Sequence, residues 1–385
     1  MRKIGERGLK LMHISDLHLG KRVNEFSMIE DQKYILATIL DVIRAEQVDG
    51  VLIAGDVYDK TTPSEEAVQL LDWFLTKLAK LEVDTYVISG NHDSSVKLSF
   101  ASDLIDRSGI HIAPVYNGVV KPYELMDSHG KVNLYLLPFI KPANVRSIFP
   151  EEGISNYTDA CIVAINHMNI NPEERNILVA HQYVMGAIKG ESEEVSIGGL
   201  DQVDADVFDA FDYVALGHLH GPQNVGKPTI RYCGTPLKYS FSEEKQVKSV
   251  TIIQLGKKGD VDVREVELTP VRDLRTIRGT FEELTAKEYY ETTNCNDYLH
   301  IVLTDEEDIL DAVNRLRVIY PHLMKLSYDN CRTRQNNELD VTEEIHRKSP
   351  MELFEEFYEL QNNQTMNDEQ QKLLTGLVEE IWEGK

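Results

Sequence analysis

The chain has 385 residues, 42% of them apolar and 8% aromatic, so it is long enough to bury a full core and to form two or three domains. Its 40 Lys and Arg stand against 64 Asp and Glu, and the formal net charge of −24 argues against a nucleic-acid-coating surface, because phosphate binding normally depends on clustered basic side chains. Four scattered cysteines without a C-x-x-C pair argue against a disulfide framework or structural zinc site, and no long apolar run or signal peptide is found, so we expect a cytoplasmic protein without membrane contact.

Alternating apolar and amphipathic segments fill roughly the first 115 residues. The apolar runs 9–15, 49–55 and 83–89 predict strands, and the amphipathic segments 28–47, 64–81 and 95–109 predict helices. Such alternation indicates right-handed crossovers between neighbouring parallel strands. Later strands are predicted at 132–139, 175–182 and 211–218, followed by an antiparallel pair at 247–256 and 261–268.

The pattern restarts near residue 270 as a smaller unit. Predicted strands at 275–280, 297–304 and 323–329 alternate there with predicted helices at 281–290 and 306–320. We therefore divide the chain into residues 1–270, 271–345 and 346–385.

The last forty residues or so predict two short amphipathic helices. The apolar stripe of the first helix contains Leu353, Phe354, Phe357 and Leu360, and that of the second contains Leu373, Leu374, Leu377, Val378 and Ile381. Packing on their own domain and docking on a partner both fit these stripes, and the pattern alone leaves the two possibilities open.

Each predicted strand of the first domain ends on polar side chains that can bind metal or transfer protons. In chain order these side chains are Asp16, His18, Asp56, Asp59, Asn91, His92, His181, His218 and His220. Because the carboxyl ends of strands in an open α/β sheet meet at one crevice, we expect these residues to converge. Asp93, which also follows the third strand, is typical of a helix cap, and we assign it no catalytic role.

Leaving out Asp59 and His92, seven of these side chains are potential ligands, which is too many for one metal ion and fits two ions better. A nitrogen and oxygen donor set without thiolate suits Mn, Fe, Zn or Mg. In the D-x-H and H-x-H spacings, side chains two residues apart on extended backbone point the same way and can reach one ion. A pair of ions about 3.5 to 4 Å apart can activate water and clamp the oxygens of an in-line phosphoryl displacement. Gly55, Gly90 and Gly217 directly precede ligands, where we expect tight turns that exclude a Cβ.

The series SDLHLG, GDVYD, GNHD, LVAHQ and GHLH resembles the five-part signature of calcineurin-like metallophosphoesterases. The run YCGTPLKYSFSE, the GHLHGPQ context, the small second domain and the helical tail narrow the resemblance to the SbcD family of nuclease subunits and its archaeal and eukaryotic break-repair relatives. The resemblance extends over nearly the whole chain. It implies a four-layer α/β/β/α sandwich with a small α+β cap domain over DNA and a C-terminal helical tail.

The resemblance also implies a role for each motif position. One metal ion, in this family preferably Mn2+, would bind to Asp16, His18, Asp56 and His220. The other would bind to Asp56, Asn91, His181 and His218, so that Asp56 bridges the two ions. His92 would stabilise the transition state or protonate the leaving oxygen, and Asp59 would orient His92.

Members of this family work with a partner, an SbcC-type coiled-coil ATPase. The resemblance implies that the partner docks on the C-terminal helices, through Leu353, Phe354, Phe357, Leu360, Leu373 and Leu377. It also implies a homodimer of this chain within a heterotetramer. The partner and the dimer would then supply much of the DNA-binding surface that a net charge of −24 does not suggest.

The leading hypothesis is a manganese-dependent DNA nuclease, with exonuclease activity on duplex ends and endonuclease activity on hairpins and single strands, that acts in DNA repair and recombination. The alternative is a phosphoesterase for phosphoproteins or small cyclic nucleotides, because one dimetal centre serves all these substrates and a fold does not fix a substrate. The acidic charge favours the alternative, whereas the cap domain and tail count against it. A non-enzymatic scaffold is the third hypothesis, and the competent ligands at every motif position argue against it.

Overall fold

The computed structural model describes residues 8–188 and 201–331 and, in the tail, residues 354–355, 358, 366–367, 370–371 and 373–374. Its strands are β1 (Lys10–Ile14), β2 (Arg22–Val23), β3 (Phe26–Ser27), β4 (Gly50–Ala54), β5 (Asp84–Ile88), β6 (Ile110–Ile112), β7 (Tyr123–Asp127), β8 (Gly130–Leu137), β9 (Arg175–His181), β10 (Tyr183–Val184), β11 (Gln202–Val203), β12 (Tyr213–Gly217), β13 (Gln223–Val225), β14 (Lys227–Tyr232), β15 (Ser249–Leu255), β16 (Val261–Glu267), β17 (Leu274–Gly279), β18 (Tyr298–Leu303) and β19 (Leu323–Tyr328). Its α-helices are α1 (Ile29–Glu46), α2 (Glu65–Lys80), α3 (Ser95–Leu98), α4 (Ser102–Ile105), α5 (Pro142–Ile148), α6 (Tyr157–Asn166), α7 (Phe281–Thr285), α8 (Lys287–Tyr290) and α9 (Ala312–Arg317).

Two six-stranded sheets, each with parallel strands at its centre, carry the metal-binding motifs. The first has the order β16-β15-β1-β4-β5-β6, in which β1, β4, β5 and β6 are parallel and β15 pairs antiparallel with β1. The second has the order β13-β14-β12-β9-β8-β7, with β13 and β7 as antiparallel edge strands. Strands that end on predicted ligands therefore lie in the interior of both sheets, where they are buried on both faces and read as continuous apolar runs.

Three apolar cores separate four layers of secondary structure. The core between the sheets contains Leu52 from the first sheet and Val179 from the second. Helices α1 and α2 cover the other face of the first sheet, with Phe74 fully buried there, and α5 and α6 cover the second sheet through residues such as Ala164. The four-layer α/β/β/α sandwich is therefore confirmed.

Residues 95–109, predicted as one helix, form α3, α4 and a 3-10 turn at Asp106–Ser108 instead. Ala101 has a left-handed backbone with φ of 59°, which interrupts the helical hydrogen-bond ladder. Val96, Phe100 and Leu104 are 70%, 82% and 77% exposed. The single-helix prediction was wrong because the backbone turns at Ala101, and of this segment Leu98 is buried in the core while much of the other apolar surface is exposed.

Strands β17, β18 and β19 form a three-stranded sheet in that order, at the positions predicted for the smaller unit. The helix predicted over 306–320 is confined to α9. Glu306 accepts a hydrogen bond from the backbone N–H of Cys331 at 3.1 Å, and Asp311 is left-handed with φ of 53°. The start of the predicted helix is therefore lost to contacts and turns that a periodic pattern does not encode. The predicted helix over 281–290 is likewise divided, because Ala286 has an extended backbone with ψ of 135°.

The described residues divide into two compact units. One is drawn from Met1–Ile277, Tyr290–Ile301 and Val313–Leu326, and the other from Arg278–Tyr289, Val302–Ala312 and Ser327–Lys385. In the described ranges, no helix has the length and apolar composition that crossing a bilayer requires. Of the tail residues predicted to dock on a partner, Leu353, Phe357, Leu360 and Leu377 lie outside the described residues. Phe354 and Leu373 are described and are 45% and 67% exposed.

Candidate metal centre

Four of the predicted ligands have a left-handed backbone, with φ of 52° at Asp16, 43° at His18, 48° at Asp56 and 111° at His218. Such a conformation costs a non-glycine residue about 1 to 3 kcal/mol and persists only where the surrounding structure holds it. The first two motif loops hold each other, because the N–H of Asp16 donates to Gly55 O at 3.0 Å and that of His18 to Asp56 O at 2.9 Å. This strain at four ligands indicates a functional site.

The glycines that precede ligands leave room for close approach of the chain. A Cβ on Gly90 would lie 2.1 Å from Asp56 Oδ1, and one on Gly217 would lie 1.9 Å from the carbonyl oxygen of Ala54. Only Gly55 of the three predicted turn glycines has a positive φ, at 86°. At Gly90 and Gly217 a Cβ is therefore excluded, as expected, and the physical reason is close contact with a neighbouring motif.

Asp16, His18 and His220 form one group of potential metal-binding atoms. One ligand atom from each lies within 4.8 Å of the others, and all three residues are buried. The Nε2 atoms of His18 and His220 face each other at 3.2 Å. Asp16 also accepts hydrogen bonds from the backbone N–H of His218, at 3.0 and 3.2 Å, which links this group to the last motif.

Asn91, His181 and His218 form a second group. The amide oxygen Oδ1 of Asn91 lies 2.9 Å from His181 Nε2 and 2.9 Å from His218 Nδ1. Asp56 lies between the groups, because its Oδ2 is 3.4 Å from His181 Nε2 and 3.8 Å from His18 Nε2. The structure therefore brings all seven predicted ligands together, with the Asp16 and Asp56 carboxylates among the histidines.

Protonation in the centre matches the needs of a cation site. Burial lowers the pKa of His218 to about 3 and that of His18 well below its usual value, so both imidazoles are neutral, which is the form that binds metal. Two buried nitrogens, His18 Nδ1 and His218 Nε2, have no hydrogen-bond partner among the residues that the structure describes. His181 is anchored from behind by a contact of 2.8 Å between Nδ1 and the carbonyl oxygen of Ala54, which leaves Nε2 for the centre.

The pKa values of the two buried carboxylates also indicate a site for cations. Burial raises the pKa of Asp16 to about 6 against the lowering effect of His181. Burial also opposes the ionisation of Asp56, but the charge and hydrogen bond of His181 outweigh it and hold the pKa of Asp56 below its usual value. Burial lowers the pKa of His181, but the charge and hydrogen bond of Asp56 outweigh burial and raise this pKa to about 9. Divalent cations would replace the proton that this pair holds, so the donor set fits them.

His92 lies at the edge of the centre and its side chain is 19% exposed. Its backbone N–H donates to Asp56 Oδ1 at 2.9 Å, and its Nε2 is 3.9 Å from Asp56 Oδ2. Its Nδ1 contacts the backbone carbonyl of Asp59 at 3.1 Å. The carboxylate of Asp59 instead accepts a hydrogen bond from Lys21 Nζ at 2.9 Å and lies 3.8 Å from His18 Nδ1.

Asp93 joins two motif loops, so its prediction as a helix cap was wrong. Its carboxylate accepts hydrogen bonds from the backbone N–H groups of Val57, Tyr58 and Gly90, at 3.0, 2.9 and 2.9 Å. The helix that follows has Ser94 at its N-cap and no side-chain cap. Asp93 therefore fixes the loop of Asp56 against the loop of His92.

Three further side chains support the centre and were missed by sequence reasoning. Gln32 Nε2 donates to His18 O at 2.8 Å, and the hydroxyl of Tyr239 donates to Leu17 O at 2.7 Å. Glu243 Oε1 lies 3.3 Å from His220 Nδ1. Of the three, Gln32 could have been found from the sequence, because it is a polar residue on the apolar stripe of a predicted helix. Burial works against ionisation of Glu243, but His220 and Lys248 lower its pKa to about 2.

Family models and curated relatives match most of this chain. A family model described as calcineurin-like phosphoesterase matches residues 9–222, and one described as type 5 capsule protein repressor C-terminal domain matches residues 270–362. A relative from Staphylococcus saprophyticus, named as the SbcD subunit of the nuclease SbcCD, is 32% identical over 97% of this chain and 99% of its own length. Another of the same name from Staphylococcus epidermidis is 32% identical over 96% of this chain and 98% of its own.

Among solved structures, a dimetal phosphatase from Danio rerio has 13% identity and a TM-score of 0.39, covering 69% of this chain and 99% of that one. The family match and the clustered donor atoms together support a divalent metal site. The sequence match to the two nuclease subunits runs along nearly the whole chain. The chain therefore belongs to the calcineurin-like phosphoesterases and, within them, to the SbcD family of nuclease subunits.

Proposed function

We propose that the chain is a manganese-dependent DNA nuclease that hydrolyses phosphodiesters at duplex ends, in hairpins and in single strands, and that works with an SbcC-type ATPase in DNA repair and recombination. The observation that carries the proposal is the convergence of seven metal-binding side chains around Asp56, in a chain whose relatives over 97% of its length are nuclease subunits. A nitrogen and oxygen donor set without thiolate is compatible with manganese.

Two ions would be held as the motif positions suggest. Asp16, His18, Asp56 and His220 would hold one, and Asp56, Asn91, His181 and His218 the other. When bound, the ions would supply Lewis acidity and an activated water for in-line displacement at phosphorus. Six of these ligands are buried, so their positions are set by the sheets and not by solvent.

His92 is the chain's own candidate for proton transfer. The carbonyl of Asp59, 3.1 Å from Nδ1, fixes the ring with Nε2 on the side of Asp56, 3.9 Å from Asp56 Oδ2. When both ring nitrogens carry protons, Nε2 would donate one to the leaving oxygen, as a general acid does. Asp59 would thus orient His92 through its backbone, while its carboxylate binds Lys21 at 2.9 Å.

The remaining organisation follows from the family and from exposed apolar surface. We propose a nuclease domain over 1–270, a cap domain over 271–345 that covers DNA and a docking tail over 346–385, and the start of the second family model at residue 270 supports the first boundary. Phe354 and Leu373, 45% and 67% exposed, support docking of the ATPase on the tail. We also propose a homodimer within a heterotetramer in the cytoplasm, and the exposed Phe100 and Leu104, at 82% and 77%, offer apolar surface for the contact between copies.

A phosphoesterase for phosphoproteins or small cyclic nucleotides is the less favoured function. Such an enzyme needs only the phosphoesterase part, which the family model confines to residues 9–222. The similarity to nuclease subunits extends far beyond that part, over 97% of the chain.

The test is to incubate the purified chain with end-labelled linear duplex DNA in manganese, in EDTA, and with the His92→Ala variant. We expect cleavage that requires the metal and that falls sharply in the variant. If DNA remains intact while an aryl phosphodiester is hydrolysed, the assay is repeated with the SbcC-type ATPase from the same organism. DNA that stays intact with the partner present contradicts the proposed nuclease function.

A further inference from the structure

A buried carboxylate and a buried ammonium lie behind His220, on the side away from the centre. Glu243 is 0% exposed and Lys248 is 5% exposed. Glu243 Oε1 lies 3.3 Å from His220 Nδ1, and Glu243 Oε2 accepts a hydrogen bond from Lys248 Nζ at 2.6 Å. We propose that Glu243, held by Lys248, is the positioning residue that fixes the ring and the tautomer of His220 for metal binding. The proposal rests on the metal centre of the proposed function.

The contact decides which nitrogen of His220 carries the proton. A carboxylate accepts hydrogen bonds, so the nitrogen that faces Glu243 must be Nδ1–H. Nε2 of the same ring then carries a lone pair in place of a proton, and it faces His18 Nε2 at 3.2 Å, within the first group of ligands. Carboxylate contacts of this kind fix the orientation of a metal-binding imidazole and raise its basicity.

Lys248 holds both the carboxylate and the backbone of the same ligand. Besides Glu243, its Nζ donates to His220 O at 3.0 Å, to Thr235 Oγ1 at 2.8 Å and to Gln246 Oε1 at 2.7 Å. The backbone N–H of Thr235 also donates to His220 O, at 3.0 Å. Lys248 therefore connects the ring of His220, through Glu243, to the peptide that carries that ring.

Both residues are placed by rigid local structure. Glu243 ends a 3-10 helix, Phe241–Glu243, and its backbone N–H donates to Ser240 O at 3.0 Å. Lys248 directly precedes β15, which pairs with β1, the strand that leads to Asp16. Glu243, the acidic residue of the run YCGTPLKYSFSE, thus has a physical task that its position in the sequence, outside the motifs that carry the ligands, does not reveal.

Stability alone gives little reason to bury this ion pair. Replacing a buried pair by well-packed apolar residues is often neutral or stabilising, because the desolvation of two charges offsets their attraction. A buried pair that also reaches a ligand nitrogen is better explained by its effect on that ligand.

The test measures manganese binding by the full chain and by its Glu243→Gln variant, using calorimetric titration and the metal content after dialysis. We expect two bound ions in the wild type. In the variant, one site loses about 10- to 100-fold in affinity while the other is unchanged. Hydrolysis of an aryl phosphodiester should fall at low manganese and recover when manganese is raised, which a merely structural defect would not show.

A matched control is Glu265→Gln. Glu265 Oε1 accepts a hydrogen bond from the buried Arg231 at 2.5 Å, so this variant also removes a carboxylate from a buried cation, away from the predicted ligands. It should keep two manganese ions at wild-type affinity. If Glu265→Gln weakened one site as much as Glu243→Gln, the effect would be general destabilisation and the inference would fail.

The double variant Glu243→Gln with Lys248→Met covers the case in which the single variant does not fold, because it leaves no unpaired buried ammonium. We expect it to fold and still to bind one ion weakly. Two sites of wild-type affinity in either variant would overturn the positioning role while leaving the proposed nuclease intact. A wild type that binds no divalent ion would overturn the proposed function itself, and the positioning role with it.

Discussion

Exposure distinguishes the residues that would hold metal from the residue that would transfer a proton. Asp16, His18, Asp56, His181, His218 and His220 are at most 7% exposed, whereas the side chain of His92 is 19% exposed and lies at the open edge. Buried ligands form a fixed cage, and a partly exposed imidazole can exchange its proton with solvent and reach a substrate. Binding and chemistry should therefore separate in variants.

Asp56→Asn and His92→Ala should fail in different ways. Asp56 Oδ2 lies 3.4 Å from His181 Nε2 and 3.8 Å from His18 Nε2, so loss of its charge affects both groups, and we expect manganese affinity to fall by about 100-fold or more. His92→Ala should keep both ions and lose about 10²- to 10⁴-fold in hydrolysis rate. Titration calorimetry and single-turnover kinetics measure the two effects. Loss of manganese from His92→Ala, or wild-type cleavage by Asp56→Asn, would contradict this division.

Gly90→Ala should disturb the centre without touching a ligand's chemistry. The new Cβ would lie 2.1 Å from Asp56 Oδ1 and 2.4 Å from Asp56 N, so Asp56 must move, and we expect a loss of about 1 to 3 kcal/mol in stability together with weaker manganese binding. Gly221→Ala is the control, because its Cβ would meet only the side chain of Gln246, at 3.2 Å. Thermal melts and titrations of both variants give the comparison. Equal effects of the two would show that close approach at Gly90 is unimportant.

At the scale of elements, the sequence predicted what depends on local pattern and missed what depends on distant contacts. The continuous apolar runs of β1, β4, β5, β9 and β12 marked buried strands, and polar residues after them marked the site. By contrast, the helix predicted over 95–109 is interrupted at left-handed Ala101. Glu243 reaches His220 across 23 positions of sequence, through a turn whose course is set by packing. Asp93 was wrongly predicted to cap a helix. Two of its backbone partners, Val57 and Tyr58, belong to an earlier motif loop that the local pattern around Asp93 does not reveal.

The two sheets are joined at the ends of their strands farthest from the metal centre. Asp127, which ends β7, accepts hydrogen bonds from both terminal nitrogens of Arg175, at 2.9 and 2.5 Å, and from the N–H of Leu9 at 2.8 Å. Arg175 also donates to Gly256 O, just after β15, at 2.9 Å. The ion pair therefore ties β7 and β9 of the second sheet to the start of β1 and the end of β15 in the first.

Asp127→Asn should destabilise the sandwich in a pH-dependent way. Burial raises the pKa of Asp127, but the Arg175 guanidinium and the Leu9 N–H outweigh burial and hold this pKa below its usual value. The stability that the Asp127 carboxylate contributes is therefore fully present above the unfolded pKa of about 4 and is lost as pH falls through the folded pKa. The side chains of Asp127 and Arg175 are at most 6% exposed. We therefore expect Asp127→Asn to lower the free energy of unfolding by about 3 kcal/mol at pH 7 and by less near pH 3. Urea unfolding at both pH values measures it. Asp41→Asn, in an exposed pair with Arg44, is the control and should cost under about 1 kcal/mol. A cost unchanged at pH 3 would contradict the assigned cause.

At the scale of the whole molecule, the strongly negative net charge disfavours the DNA binding that the proposed function requires. A chain with a net charge of −24 repels DNA over most of its surface, and attraction has to come from bound divalent ions, local basic side chains or another protein. Bound divalent ions would supply positive charge only at the metal centre, where the scissile phosphate would lie. A partner that binds DNA and holds this chain against it would remove the conflict, which makes the proposed docking of that partner on the tail central to the proposed function.

Substitution of the exposed apolar tail residues should separate partner binding from catalysis. Phe354 and Leu373 are 45% and 67% exposed in the isolated chain, and an aspartate at both positions would place charge in an apolar interface. We expect Phe354→Asp with Leu373→Asp to reduce capture of the SbcC-type ATPase by at least about 100-fold, because each buried charge costs several kcal/mol. Manganese-dependent hydrolysis of an aryl phosphodiester should stay at the wild-type rate. Val68→Asp, at a position on α2 that is 45% exposed, is the matched control and should bind the ATPase normally. Normal capture by the tail variant would place the partner elsewhere on the chain and leave the tail helices to pack on their own domain.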